Sequence, residues 1–296
     1  MVNISIDLFL SFLPFIILHI SFNPGFSSYI SFYAFIMTAT FSLIREKIKK
    51  GNDNKSYYSV KWHFYLSLFT LLILALCLVR LYLNYSDETN INLLEWKYHS
   101  IVTCIVYFYR SLFMHDVVER KAFTNSFFSS AIFGRTMATI GEILFMRLFL
   151  LYKAANEFSN LKEVFDLLYY GIWIAECLCY IAVFTKNQLF HFYENSIWTI
   201  VFSSFLPILY SYSMYSELIL VLIYVVYMIS TDLPMYFNAW KTGECGRVLS
   251  LYEGVIDCFT NWEVTKDDSF WIRHMEYMTL NFTIVPLVSL YIVGYL

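Results

Sequence analysis

Long apolar runs broken by short polar segments organise this chain. A helix needs roughly 20 mostly apolar residues to cross a hydrocarbon layer of about 30 Å. Nine runs approach that length: 7–22, 27–44, 64–83, 98–114, 131–152, 165–185, 197–212, 216–231 and 270–296. The pattern predicts an all-α protein, a polytopic transmembrane helical bundle with nine spans, with residues 1–296 forming a single integral membrane domain. Asn23-Pro24-Gly25 breaks the first two runs as a tight turn would between antiparallel helices. Residues 8–20 have the apolar length of a cleavable signal, but no Lys or Arg precedes Arg45 and no small-residue cleavage pattern follows, so the segment reads as a structural helix.

The longest segment outside these runs, 232–269, has room for one amphipathic helix. Val248, Leu251, Tyr252, Val255, Ile256 and Phe259 recur at helical spacing, with Arg247, Glu253 and Asp257 between them, as on a helix lying flat on a membrane surface. Asp232-Leu233-Pro234 reads as the stop that turns the chain onto that surface. Ser129-Ser130 reads as the cap of the helix beginning at 131.

Composition sharpens this picture. At 59% hydrophobic, 21% aromatic and 15% charged, the chain is not a water-soluble domain. A net charge of −3 with scattered Lys and Arg leaves no basic field for a phosphate backbone, so nucleic acid is excluded as a partner and membrane lipids take its place. With nine spans, 12 basic residues gather in the segments 45–63, 115–128, 186–196 and 232–269, against three on the other side, Lys97, Lys153 and Lys162. Excess basic residues stay cytoplasmic. The N-terminus is therefore expected in the cytoplasm and the C-terminus on the extracytoplasmic or lumenal side. Trp62, Trp96, Trp198, Trp240, Trp262 and Trp271 fall near span ends, as an interfacial aromatic belt would have them. Cys77, Cys104, Cys177 and Cys179 lie inside spans and read as buried thiols, Cys177 and Cys179 pointing in different directions on one helix. The sequon Asn84-Tyr85-Ser86 lies too close to the bilayer to carry weight.

Ionisable groups inside a span are costly, so they mark sites or paired packing seams. In the 131–152 run, steps of about 100° per residue place Arg135, Thr139 and Glu142 on one stripe, with Gly134, Ala138 and Gly141 beside it to admit a neighbouring helix. Glu176 lies midway along the 165–185 run without a basic residue in the same run, and Arg147 is one partner that would neutralise it. His115-Asp116, His191 with Glu194, and His274 with Glu276 set imidazoles beside acids on the cytoplasmic side, a pattern that serves either a metal or acid/base chemistry. Six histidines are too few for a multi-histidine di-iron centre, and no metal ligand set or cofactor is assigned. Nucleophile elbows, zinc-protease helices, phosphate loops and dinucleotide turns are missing from the sequence.

Three functions share these residues. In a membrane-embedded enzyme acting on a lipid or other apolar substrate at the cytoplasmic interface, Glu142, Glu176, His191 and Glu194 are the candidate catalytic groups. Arg110, Arg120, Arg135 and Thr139 would then hold the substrate's anionic head. A proton-coupled transporter or channel would line a midplane path with Glu142, Glu176, Arg135 and Arg147. A non-catalytic subunit of a membrane complex would turn the polar stripes toward neighbouring subunits.

Overall fold

A computed structural model describes residues 57–84, 91–156, 161–211, 215–243 and 246–295. Among the described residues the protein is all-α apart from one very small sheet, and three helical stretches are long and apolar enough to cross a membrane: Tyr58–Leu83, Glu163–Thr185 and Val221–Thr242. The runs at 7–22 and 27–44 lie outside the described residues. The chain divides into two compact units, one built from the residues through Met114 with those from Thr265 onward, the other from His115–Val264.

In the first unit, α1 (Tyr57–Asn84), α2 (Ile91–Leu112) and the last helix, Asp268–Tyr295, pack together. Phe69, Ile73 and Cys77 meet Ile101, Cys104 and Leu290 in their core. Asp268 accepts hydrogen bonds from the otherwise orphaned amides of Tyr58 (3.2 Å) and Ser59 (2.8 Å), capping α1 from a residue far along the chain. Runs 98–114 and 270–296 become helices, and Asn281–Leu290 of the last is a shorter apolar stretch. Both turn polar side chains inward: Lys97, Ser100, Thr103 and Ser111 on α2, and Thr279, Thr283 and Ser289 on the last helix, are all buried. Lys97 is thus a bundle residue and not the loop lysine expected.

The second unit carries α3 (Ala131–Asn156), α4 (Lys162–Thr185), α5 (Gln188–Ser211), α6 (Tyr215–Tyr227), α7 (Leu233–Thr242) and α8 (Leu251–Thr260), which leaves Asp268–Tyr295 as α9. A sheet of β1 (His115–Asp116), β2 (Lys121–Ala122) and β3 (Glu263–Val264) pairs β1 antiparallel and β3 parallel to β2. Its core joins Ile143 and Met146 of α3, Phe165, Ile172 and Ala175 of α4, and Trp198, Val201, Phe205 and Leu209 of α5 to Val221 and Val225 of α6. Phe165 stacks on Phe205 with centroids 5.9 Å apart, and Phe202 meets Tyr224 at 4.5 Å.

Several expectations need correction. Asp232-Leu233-Pro234 does not stop its helix: α6 passes through a π turn, Met228–Asp232, into α7. Pro234 sits in the first turn of α7, where its missing N–H costs least, and the widened turn makes room for its ring. Ser130 does not cap α3 with its side chain, since its Oγ is buried without a hydrogen-bond partner among the described residues, while Ser129 Oγ pairs with Thr124 Oγ1 at 2.7 Å. Gly134 admits the His115 ring, with which a Cβ would collide, and not a helix. The aromatic belt also fails at three positions: Trp62, Trp198 and Trp271 are buried. Two of these satisfy their indole N–H inside the unit, Trp62 by donating to Thr279 Oγ1 (2.8 Å) and Trp271 to the Thr265 carbonyl (2.9 Å).

The amphipathic segment does form a helix, α8, entered through a capping box in which the Ser250 side chain and Glu253 satisfy each other's backbone amides. Gly254 and Cys258 face inward, while Leu251, Tyr252, Ile256 and Phe259 are exposed. Asp257 fastens the helix to the body through Arg120 Nε (2.8 Å) and Lys186 Nζ (3.2 Å). Burial alone would raise its pKa, but hydrogen bonds from Asn261, Arg120 and Lys186 and the Arg120 charge outweigh this and hold it below the usual carboxylate value. A carboxylate depressed in the folded state stabilises above its unfolded pKa of about 3.9, and that contribution is lost as pH falls through the lower folded value. Hydrogen exchange should therefore show α8 protected at neutral pH and released at lower pH than a bare aspartate would predict, with the acid step missing in Asp257→Asn.

Candidate functional site

Three helices of the second unit bring their buried polar residues to one place. On α3, Arg135 Nε donates to Thr139 Oγ1 (3.2 Å) and Arg135 Nη2 to Glu142 Oε2 (2.7 Å), so the stripe read from the sequence exists as a hydrogen-bonded row. Glu176 of α4 meets the same row: its Oε2 accepts from Arg135 Nη2 at 2.5 Å and from the Thr139 hydroxyl. Glu176 is thus paired with Arg135, which takes the place proposed for Arg147. Its other oxygen, Oε1, is buried with no hydrogen-bond partner among the described residues.

One turn along α4 from Glu176, Cys179 is buried at 1% exposure while Cys177 faces out, as helical geometry requires of residues two apart. Beyond it, on α5, His191 Nδ1 lies 2.8 Å from Glu194 Oε2 and 3.9 Å from Cys179 Sγ. Tyr236 of α7 lays its ring against the imidazole, centroids 5.1 Å apart. Arg135 feels the charges of Glu142, Glu176 and Glu194, which makes the α3, α4 and α5 residues one electrostatic unit. A short connection, with Lys186 in a left-handed conformation, folds α5 back antiparallel on α4 and brings Glu176 and Cys179 opposite His191 and Glu194.

All four proposed catalytic residues, Glu142, Glu176, His191 and Glu194, therefore fall in this cluster, as do Arg135 and Thr139. Arg110 and Arg120 do not join it. Arg110 belongs to the first unit, its guanidinium over the rings of Tyr107 (5.4 Å) and Phe282 (5.1 Å). Arg120 is committed to structure: its backbone is left-handed (φ 54°), and its guanidinium donates to Asp257 and to the carbonyls of Val117 and Val183. Of the three His–acid pairs, His191–Glu194 is a direct contact. His115 packs on Gly134, and His274 lies among the rings of Phe270 and Trp271 in the first unit, while the Glu276 side chain lies outside the described residues. Sequence reasoning missed Cys179, although its spacing of three from Glu176 already placed it on the polar side of α4. Comparison with protein-family models, curated proteins and solved structures finds no match.

Chemically, the arrangement offers two acid/base pairs. Glu176 keeps one oxygen tied to a guanidinium and a hydroxyl, with the Glu142 carboxyl within hydrogen-bond reach. His191 and Glu194 form a buried hydrogen-bonded pair.

Proposed function

We propose that the chain is a multi-pass integral membrane protein with nine crossing helices, its N-terminus cytoplasmic, and that it is an enzyme acting on a lipid or other apolar substrate at the cytoplasmic interface. The observation that carries this reading is the depth of the polar cluster. The start of α3, the end of α4 and the start of α5 lie at one end of the second unit. At 1.5 Å per residue, His191 is about 5 Å, Glu194 about 9 Å, Glu176 about 14 Å and Glu142 about 16 Å from that end. Against a core of about 30 Å, the cluster fills one half and ends with Glu142 about at the midplane. Ile172, Met146, Phe205 and Leu209 form an apolar core in the other half, with Arg147 of α3 at the level of Met146. A carrier needs polar access from both faces, whereas an interfacial enzyme works with one face closed. The orientation rests on the 12-to-three asymmetry of basic residues. The exposed apolar face of α8 and the outward Ile219, Leu222, Ile223, Val226 and Ile229 along α6 and its π turn suit contact with lipid.

In this role Glu176 moves a proton, Arg135 and Thr139 hold the carboxyl in place, and His191 with Glu194 supplies the second acid or base. The test compares lipid extracts, by mass spectrometry, from membranes carrying equal amounts of the wild-type chain or of Glu176→Gln. A lipid species consumed or formed by wild type should change at least about 100-fold more slowly in the variant, the lower bound for losing an acid/base group. Identical lipid compositions together with uptake into sealed vesicles driven by a pH gradient would replace the enzyme with a carrier.

A further inference from the structure

Cys179, His191 and Glu194 offer three potential metal-ligand atoms, all within 4.8 Å of one another. We propose that these residues bind a divalent zinc-class ion through Sγ, Nδ1 and a carboxylate oxygen, with the fourth position open. The assignment deepens the enzymatic reading of the same cluster but stands on separate geometry.

A nucleophilic triad is the competing use of Cys, His and Glu, and it needs the imidazole to reach the thiol with one nitrogen and the acid with the other. Here Nδ1 faces both Sγ (3.9 Å) and Glu194 Oε2 (2.8 Å). Convergence on one nitrogen is wrong for a proton relay and right for ligands around a common centre. Metal bonds of about 2.0–2.3 Å at tetrahedral angles set ligand atoms roughly 3.4–3.6 Å apart. The Cys–His separation is already close to that, and the His–Glu pair has to open by about half an ångström, exchanging its hydrogen bond for two bonds to the ion.

Charge points the same way. Glu142, Glu176 and Glu194 surround the single guanidinium of Arg135, so acids outnumber bases in the cluster. Buried charge must be balanced, and a divalent ion supplies what Arg135 lacks. Its binding releases the thiol proton. The ligand set mixes soft sulfur, borderline nitrogen and hard oxygen, which suits zinc and excludes magnesium or calcium, ions that take oxygen alone. Asp232, on the π turn, feels the charge of Glu194, and Tyr236 packs on the imidazole, so both belong to the surroundings that orient the ligands. Three protein ligands and an open position are the pattern of catalytic zinc, where a bound water or a substrate oxygen is polarised. Glu176, one turn from Cys179, would then stand beside the polarised group.

The full chain, purified in detergent through a histidine-free tag without added metal, should carry roughly one zinc-class ion per molecule by elemental analysis. Loading with Co²⁺ should produce thiolate-to-metal charge-transfer absorption. Cys179→Ala should lose both signals, while Cys177→Ala, which alters the exposed neighbour, should keep them. Wild-type protein with less than about a tenth of an ion per chain and no charge-transfer band overturns the site, and so does a Cys179→Ala protein that keeps the band. Should Cys179→Ala fail to fold, the wild-type Co²⁺ spectrum alone decides the point. Glu176→Gln is expected to retain the ion, so loss of turnover and loss of metal are separate results.

Discussion

Arg135→Met is expected to destabilise the second unit by about 3–5 kcal/mol, because it removes one member of a buried ion-pair network and strands the others. Glu176 is 2% exposed, and without the guanidinium its Oε2 keeps only the Thr139 hydroxyl while Glu142 loses its 2.7 Å partner. The penalty is the desolvation of the buried Glu176 carboxylate and not the worth of the bonds themselves. That distinction fixes the second half of the prediction. Arg135→Met combined with Glu176→Gln leaves no full charge at the most buried position and should recover at least half of the loss, giving strong non-additivity. Reactivity of buried Cys179 and Cys258 toward a thiol probe during thermal unfolding in detergent reports the transition. A single-variant cost below about 1 kcal/mol, or a double variant equal to the sum of the singles, would mean that water already hydrates the cluster.

What the sequence made legible was periodic. Arg135, Thr139 and Glu142 share a stripe because of the 100° helical step, and that step holds wherever the helix holds. The same logic found α8, whose apolar positions and Ser250-to-Glu253 capping box are both local signals. Long-range pairing left no such trace. Nothing in the spacing tells whether Glu176 meets Arg135 or Arg147, since that depends on how α4 rotates and slides against α3. The failures share a cause. Trp62 and Trp271 look like interface anchors because they stand near run ends, but their indole N–H groups found acceptors inside the bundle. Lys97 looks like a loop charge for the same reason. Arg120 looks like a ligand for an anionic head group, whereas its donors serve carbonyls and Asp257 around the end of α4. A polar side chain's position along the chain does not say which backbone groups need it.

Gly254→Ala should release α8 from the body, with a cost at the upper end of the roughly 1–3 kcal/mol typical of overpacking. A Cβ at this position would collide with the carbonyl of Phe184, a backbone atom that cannot rotate aside as a side chain would. The clash reaches further than one contact, because the segment carrying α8 completes the C-terminus of α4. The last carbonyls of a helix have no partner within it. Here the Thr185 carbonyl accepts from the Leu249 amide (2.9 Å), the Val183 carbonyl accepts from Arg120 Nη2 (2.5 Å) and lies 3.9 Å from the Cys258 thiol, and the Phe184 carbonyl is covered by Gly254. Pushing α8 outward therefore uncovers the Phe184 carbonyl, strains the Leu249 bond to Thr185, withdraws the Cys258 thiol from Val183 and pulls Asp257 away from Arg120 and Lys186. Hydrogen exchange should show Leu251–Thr260 losing about 10-fold or more of its protection, with Cys258 becoming reactive. Gly171→Ala is the control: its Cβ would meet Val201 Cγ2 at an ordinary 3.4 Å, and mid-helix alanine is favoured over glycine by about 1 kcal/mol, so that variant should match or exceed wild type in stability. Equal protection of α8 in the Gly254→Ala and Gly171→Ala proteins would show that α8 is held by its side chains alone and that the close approach of Gly254 to α4 contributes nothing.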